Sequence, residues 1–258
     1  MSYDFITTET RGRVLIVTFN RPEVYNAMHP PMHHELSDAW DKFEADGELW
    51  VAICIGAGDK AFSAGNDLKF TATGQKIDPP ATGFAGLANR LDRTKPIIAA
   101  VNGVAMGGGM ETALACDIIL AADSARFALP EVKVGFIAGA GGIQRLSRQI
   151  GRKAAMDMLL TGRHVQSPEA VELGIANAVH PQAELLDAAI AKAHQIAANS
   201  PSSVKATMKV LAMMDEQEKT LDALNFSRPV LAELRQTFDF SEGVNAFVEK
   251  RDPEWRNA

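Results

Sequence analysis

The chain has 258 residues, and its 26 Lys+Arg against 32 Asp+Glu leave a formal net charge of −6. With 47% hydrophobic and 22% charged residues it has the make-up of a globular protein, which excludes disorder, collagen and a coiled-coil rod as descriptions of the whole. The acidic balance also argues against a general nucleic-acid binder, which carries a basic footprint.

Val14–Phe19 is rich in β-branched residues and lies between Gly12-Arg13 and Asn20-Arg21-Pro22, so it reads as a strand. It is too short for a signal-peptide core or a membrane span, and no basic segment precedes it. The expectation is a soluble protein of a reducing compartment, most simply cytoplasmic. Residues 32–43 place Leu36, Ala39, Trp40 and Phe43 at helical spacing. Residues 50–55 form a second buried strand, broken by Gly56-Ala57-Gly58-Asp59. Residues 71–83, with Gly74 and Asp78-Pro79-Pro80, read as a mobile surface loop, and 84–91 as a helix. Residues 96–101 are a third strand, and Gly107-Gly108-Gly109 opens a helix running to Ala115. Ile118–Ala122 is a fourth strand. Strands alternating with helices imply an α/β domain.

Beyond Gly141 the pattern turns helical: 142–160, 183–198, 201–214 with Pro at its start, and 220–238 with a kink at Pro229. The last third reads as all-helical. No repeat or Gly/Ser linker separates it, so the helical tail is expected to pack on the α/β core or on a neighbouring subunit. The division expected is a core over 1–198 and a C-terminal helical region over 199–258.

Several motifs are dismissed. No Gly-Lys dipeptide occurs, so there is no Walker A loop, and Gly139-Ala140-Gly141-Gly142 lacks the glycine offset of a dinucleotide fingerprint. His33-His34 point about 100° apart on a helix and no His-Glu-x-x-His follows, so they read, like His29, as a solvated face rather than metal ligands. Cys54 and Cys116 each stand in an apolar run and read as buried thiols, with no disulfide framework and no metal site.

Two glycine-containing turns stand out. Ser63-Ala64-Gly65-Asn66-Asp67-Leu68-Lys69 follows one buried strand, and Gly107-Gly108-Gly109-Met110-Glu111 follows another. Glycines at a helix start serve tight packing, or they bare N–H groups towards a ligand oxygen, with the helix dipole adding attraction for negative charge. Two such turns, each donating one N–H, can form an oxyanion hole. Glu111 lies in the first turn of its helix, and Glu131 precedes a second glycine-rich stretch. Two carboxylates with an oxyanion hole suit acid/base chemistry beside a carbonyl.

At these residues the sequence resembles the crotonase, or enoyl-CoA hydratase/isomerase, superfamily over nearly the whole chain. The resemblance is carried by Asn20-Arg21-Pro22 to Met28, by Ser63 to Lys69, by Lys95 to Arg145 and by Ala246-Phe247-Val248-Glu249-Lys250-Arg251. Within the family it is most like enoyl-CoA hydratases and carnitinyl-CoA dehydratases. It implies a superhelix of repeated β-β-α units with a C-terminal helical trimerisation region that also covers the active site, assembled as a trimer or a hexamer. It places the oxyanion N–H groups on Asn66 and Gly108 and the hydratase glutamates on Glu111 and Glu131. It places coenzyme A or substrate contacts on Ala64, Asp67, Leu68, Lys69, Gly107, Pro130, Gly139, Phe247 and Lys250. The implied reaction is reversible syn hydration of an enoyl-CoA thioester. Its alternatives are dehydration of carnitinyl-CoA, with Phe70, Phe84 and Phe136 as candidate walls for a quaternary ammonium, and isomerisation. No metal, no cofactor beyond the coenzyme A of the substrate, no nucleic acid and no membrane are expected. Two departures from the family pattern stand out: Asn66 replaces a common Ala, and Ala138 replaces a common Pro.

Overall fold

The chain begins as a hairpin. β1 (Ile6–Arg11) and β2 (Val14–Phe19) pair antiparallel across a turn that holds Gly12 at φ +61°, a conformation glycine adopts without steric cost. This computed structural model describes residues 3–75, 78–213, 229, 232 and 235–254. α1 (Pro30–Ala45) then crosses over and β3 (Val51–Gly56) pairs parallel with β2. β5 (Ile97–Val101), β7 (Ile118–Ala122) and β10 (Ala178–His180) extend the sheet in the order β1-β2-β3-β5-β7-β10.

β3, β5 and β7 are each followed at once by a short strand in a second sheet. β4 (Ala61–Ser63), β6 (Val104–Met106) and β8 (Arg126–Ala128) lie parallel, and β9 (Val165–Gln166) closes that sheet antiparallel to β8. A helix or 3₁₀ turn follows each short strand: α2 (Leu68–Ala72), α3 (Gly108–Leu114) and the turn Glu131–Val134. The chain thus makes three successive β-β-α turns. The end of each short strand, where the next helix starts, falls on one side of the small sheet. Asn66, Gly108, Glu111 and Glu131 stand at those three junctions.

α1 buries the stripe Leu36, Ala39, Trp40 and Phe43 that its spacing predicts. Trp40, Phe43, Phe19, Phe62 and Phe127 are fully buried, each contributing about 1.5–3 kcal/mol of burial free energy. Cys54 is buried, but Cys116 is only partly so; both are free thiols, with their sulfurs 3.6 Å apart.

The structure corrects several expectations. The segment 84–91 is not a helix but one 3₁₀ turn, Phe84–Gly86, with Ala85 at φ +54°. Thr71 and Ala72 close α2 rather than starting a loop. The helix expected over 142–160 breaks at Gly151 (φ +80°) into α4 (Gly142–Gln149) and α5 (Arg152–Thr161). The last third is not all-helical: β9 and β10 lie within it, flanking α6 (Ser167–Glu172). α7 (Leu185–Ala197) and α8 (Pro201–Met213) fall where expected. Most of the expected helix over 220–238 lies outside the described residues. His29 and His33 are not solvated: they are 7% and 5% exposed, because Phe5 and Phe70 close on the first and the Phe84 turn on the second.

α9 (Phe238–Glu249) returns to pack against α2 and the Glu131–Val134 turn, with the Phe240 ring 4.4 Å from that of Phe136. Among the described residues no helix is long and apolar enough to cross a membrane.

Candidate active site

The first junction is built around Ser63. Its hydroxyl donates to the Asn26 carbonyl (2.8 Å) and accepts the Gly65 N–H (3.0 Å). Gly65, at φ +88°, turns the chain sharply. The Gly65 carbonyl accepts the Met28 N–H, and the Met28 carbonyl accepts the Asp67 N–H, so Asn66 is gripped on both sides. Its own N–H makes no hydrogen bond among the described residues. Asp67 caps α2 by accepting the Phe70 N–H (3.1 Å) and pairs with Arg21 at 3.0 Å. Both side chains of that pair are mostly buried, and Arg21 also donates to the Ala27 carbonyl (2.6 Å).

The second junction lies against the first. Gly107 (φ +53°) donates its N–H to the Ala128 carbonyl, and α3 begins at Gly108, whose N–H is also unbonded among the described residues. A Cβ on Gly65 would stand 2.8 Å from the Gly108 nitrogen, and one on Gly109 would stand 2.1 Å from the Ser63 carbonyl oxygen. Only glycine lets the turns approach so closely, and the approach sets two unused N–H donors, Asn66 and Gly108, side by side. Two such donors are what an oxyanion needs.

Two carboxylates belong to the second and third junctions. Glu111, in the first turn of α3, is buried, and its Oε1 accepts the N–H groups of Ala140 (2.8 Å) and Gly142 (2.9 Å). Burial raises its pKa to about 7, against the pull of those two N–H groups and of the Arg145 guanidinium. Arg145 donates to the carbonyls of Ala140 (3.2 Å) and Ala88 (2.7 Å), and so clamps the same loop. Glu131 starts the third junction, directly after Pro130. Its Oε1 lies 3.3 Å from where a Gly107 side chain would begin, and its Oε2 is buried without a hydrogen-bond partner among the described residues. Burial, then the charge of Glu111, push its pKa up to about 8. The site thus pairs a carboxylate whose ionised form is hydrogen-bonded with one that favours its proton, beside two free donors.

The remaining expected residues divide. Ala64 and Lys69 are exposed, and Leu68 is half-buried at the start of α2. Gly139 donates to the Ile137 carbonyl within the loop that holds Glu111. Phe247 (52% exposed) and Lys250, the left-handed cap of α9, are both exposed, and neither bonds to the two turns. Arg21 and Arg145 received no individual role from the sequence. Arg21 meets Asp67 across 46 residues, a separation that leaves no local signal. Among the described residues no group of three His, Cys, Asp or Glu side chains is placed to hold a metal.

The enoyl-CoA hydratase/isomerase family model matches residues 9–258. The mevalonyl-coenzyme A hydratase SIDH of Beauveria bassiana is 42% identical, over 95% of this chain and 92% of its own. The carnitinyl-CoA dehydratase of Proteus mirabilis is 41% identical over 96% of each. The solved structure of a carnitinyl-CoA dehydratase from Mycobacterium avium 104 superposes with a TM-score of 0.92 at 38% identity, covering 98% of this chain and 99% of that one.

Proposed function

The chain belongs to the enoyl-CoA hydratase/isomerase family, and from that premise we propose that it adds water reversibly, in syn fashion, across the 2,3 double bond of an enoyl-CoA thioester. The observation that carries this reading is the Glu111–Glu131 pair beside the unbonded Asn66 and Gly108 N–H groups. Glu111, whose ionised form is held by two N–H groups, takes a proton from water as the oxygen bonds to C3. The C2=C3 electrons move to the thioester oxygen, where the Asn66 and Gly108 N–H groups hold the developing enolate charge. Glu131 delivers its proton to C2, and the site resets when the proton gained by Glu111 is returned to Glu131. Losing one such donor typically costs ~3–4 kcal/mol of transition-state stabilisation. Coenzyme A enters as part of the substrate; the proposal extends to a cytoplasmic protein assembled as a trimer or a pair of trimers, an assembly that sedimentation checks.

The testing experiment follows loss of the conjugated enoyl-thioester absorbance with crotonyl-CoA, for wild type, Glu111→Gln and Glu131→Gln. Fast wild-type hydration with both folded variants reduced by orders of magnitude supports it; an isomerase would tolerate Glu111→Gln. A second reading, dehydration of a specialised acyl-CoA, is favoured by the 41% identity to the Proteus mirabilis carnitinyl-CoA dehydratase. It predicts little crotonyl-CoA turnover beside rapid turnover of carnitinyl-CoA.

A further inference from the structure

The turn 83–86 is bent through three left-handed residues: Gly83 (φ +78°), Ala85 (φ +54°) and Gly86 (φ +65°). Ala85 carries a Cβ in a region that L residues rarely adopt, and strain of this kind persists only where the surroundings over-determine it. Here α1 does so. His33 Nδ1 accepts the Ala85 N–H (3.1 Å), and the Trp40 indole N–H donates to the Ala85 carbonyl (3.0 Å). Gly86 sits so close to α1 that a Cβ would stand 2.7 Å from the Ser37 backbone. Burial keeps the His33 ring neutral, its pKa pushed down to about 3, so Nδ1 stays an acceptor across the working pH range.

The constrained turn presents one side chain, Phe84. The outer end of its ring occupies the place where a Gly108 side chain would be: a Cβ there would lie 2.3 Å from Cζ. The His33 ring backs it at 4.3 Å. Phe84 is half-buried, with the outer end of its ring set against Gly108. An acyl group whose carbonyl oxygen is bound by the Gly108 N–H has C2 and C3 within reach of whatever lies over the Gly108 Cα.

We propose that Phe84 is a specificity-determining residue that closes the acyl pocket beside the thioester, selecting acyl groups unbranched at C3, and that His33 is the positioning residue that holds it there. The inference rests on the acyl-CoA reading above and deepens it from reaction to substrate class.

The test is the binding of two non-reacting ligands, butyryl-CoA and isovaleryl-CoA, by calorimetry, with free coenzyme A as a folding control. Wild type is expected to prefer butyryl-CoA by about tenfold or more, the discrimination one misplaced methyl group supports. Phe84→Ala, and Phe84→Leu should the first fail to fold, are expected to erase most of that preference while binding coenzyme A as wild type does. His33→Leu is expected to shift the preference the same way. His33→Asn, which keeps an acceptor for the Ala85 N–H, is expected to restore much of it, a rescue that a mere packing role would not produce. Equal wild-type binding of the two ligands overturns the proposal, as does a Phe84 variant that weakens coenzyme A and both acyl ligands alike. Wild-type turnover of crotonyl-CoA is scored separately: its absence beside intact acyl selectivity removes the hydratase reading and leaves the role of Phe84 standing.

Discussion

Gly142 and Glu111 fit each other at a single atom. The Gly142 N–H donates to Oε1 at 2.9 Å, and a Cβ on Gly142 would stand 2.9 Å from that same oxygen and equally close to the Ala138 Cβ. Ala138 is buried, so it has no room to yield. Gly142→Ala must therefore displace the carboxylate from both of its N–H donors. A displacement of this size at a reacting group costs on the order of 10²-fold in rate. The expected result is a kcat for enoyl-CoA hydration reduced to that extent, with a far-ultraviolet spectrum like that of wild type. A variant with full activity would show that the Gly142 contact does not place Glu111.

The carboxylate pair also makes stability depend on pH. Glu131, raised to about 8 from the ordinary 4.5, favours its proton in the folded state. The stability this contributes is fully present below the unfolded pKa and is lost as pH rises through the folded one. Glu131→Gln removes that dependence, because the amide never ionises. The melting temperature of Glu131→Gln relative to wild type is therefore expected to climb between pH 5 and pH 9. A constant difference across that range would mean that Glu131 titrates as an ordinary exposed carboxylate. For catalysis, one carboxylate ionised and one protonated implies a bell-shaped profile of kcat/KM, whose limbs belong to the pair.

How far the fold could be read in advance follows from where each strand is buried. β2, β3, β5 and β7 are covered on both faces, so they appear in the sequence as continuous apolar runs. β1 is an edge strand exposed along nearly its whole length, and its Thr7, Thr8, Glu9 and Thr10 carry no apolar signal. β9 and β10 are two and three residues long, below what any periodicity can register. The site divides in the same way. The resemblance names Glu111, Glu131, Asn66 and Gly108. The N–H groups that hold Glu111 come from residues 29 and 31 positions further on, and only the folded loop brings them there. His33 is polar in sequence and becomes buried because the Phe84 turn folds over it, a tertiary event with no local signature.

The Arg21–Asp67 pair carries a stability prediction of its own. Its side chains are 14% and 11% exposed, so removing one partner strands a buried charge. Arg21→Met is expected to cost about 3–5 kcal/mol, as single breaks of buried pairs do. Arg21→Met with Asp67→Asn should recover part of that loss, because the stranded charge is gone while the Asn oxygen still caps α2. Urea unfolding of the two single variants and the double variant measures the coupling. Strict additivity would show that the two side chains do not stabilise each other.

Gly65 supplies the sharpest test of the paired donors, because a backbone N–H cannot be deleted by ordinary substitution. A Cβ at Gly65 would stand 2.6 Å from the Met106 carbonyl oxygen and 2.8 Å from the Gly108 nitrogen, at a φ of +88° that alanine rarely adopts. Gly65→Ala must part the two turns, moving the Asn66 and Gly108 N–H groups out of register. Substrate binding through coenzyme A has no reason to suffer equally. The expected signature is a kcat lowered by about 10²–10³-fold, the range for losing one oxyanion donor, with a much smaller change in the Kd of free coenzyme A. Because the substitution also strains the backbone, the melting temperature is measured alongside, and kcat is compared at a temperature where the variant is fully folded. If kcat and coenzyme A affinity fell together, Gly65 would serve the nucleotide side of the site, and the two turns would not form the oxyanion hole.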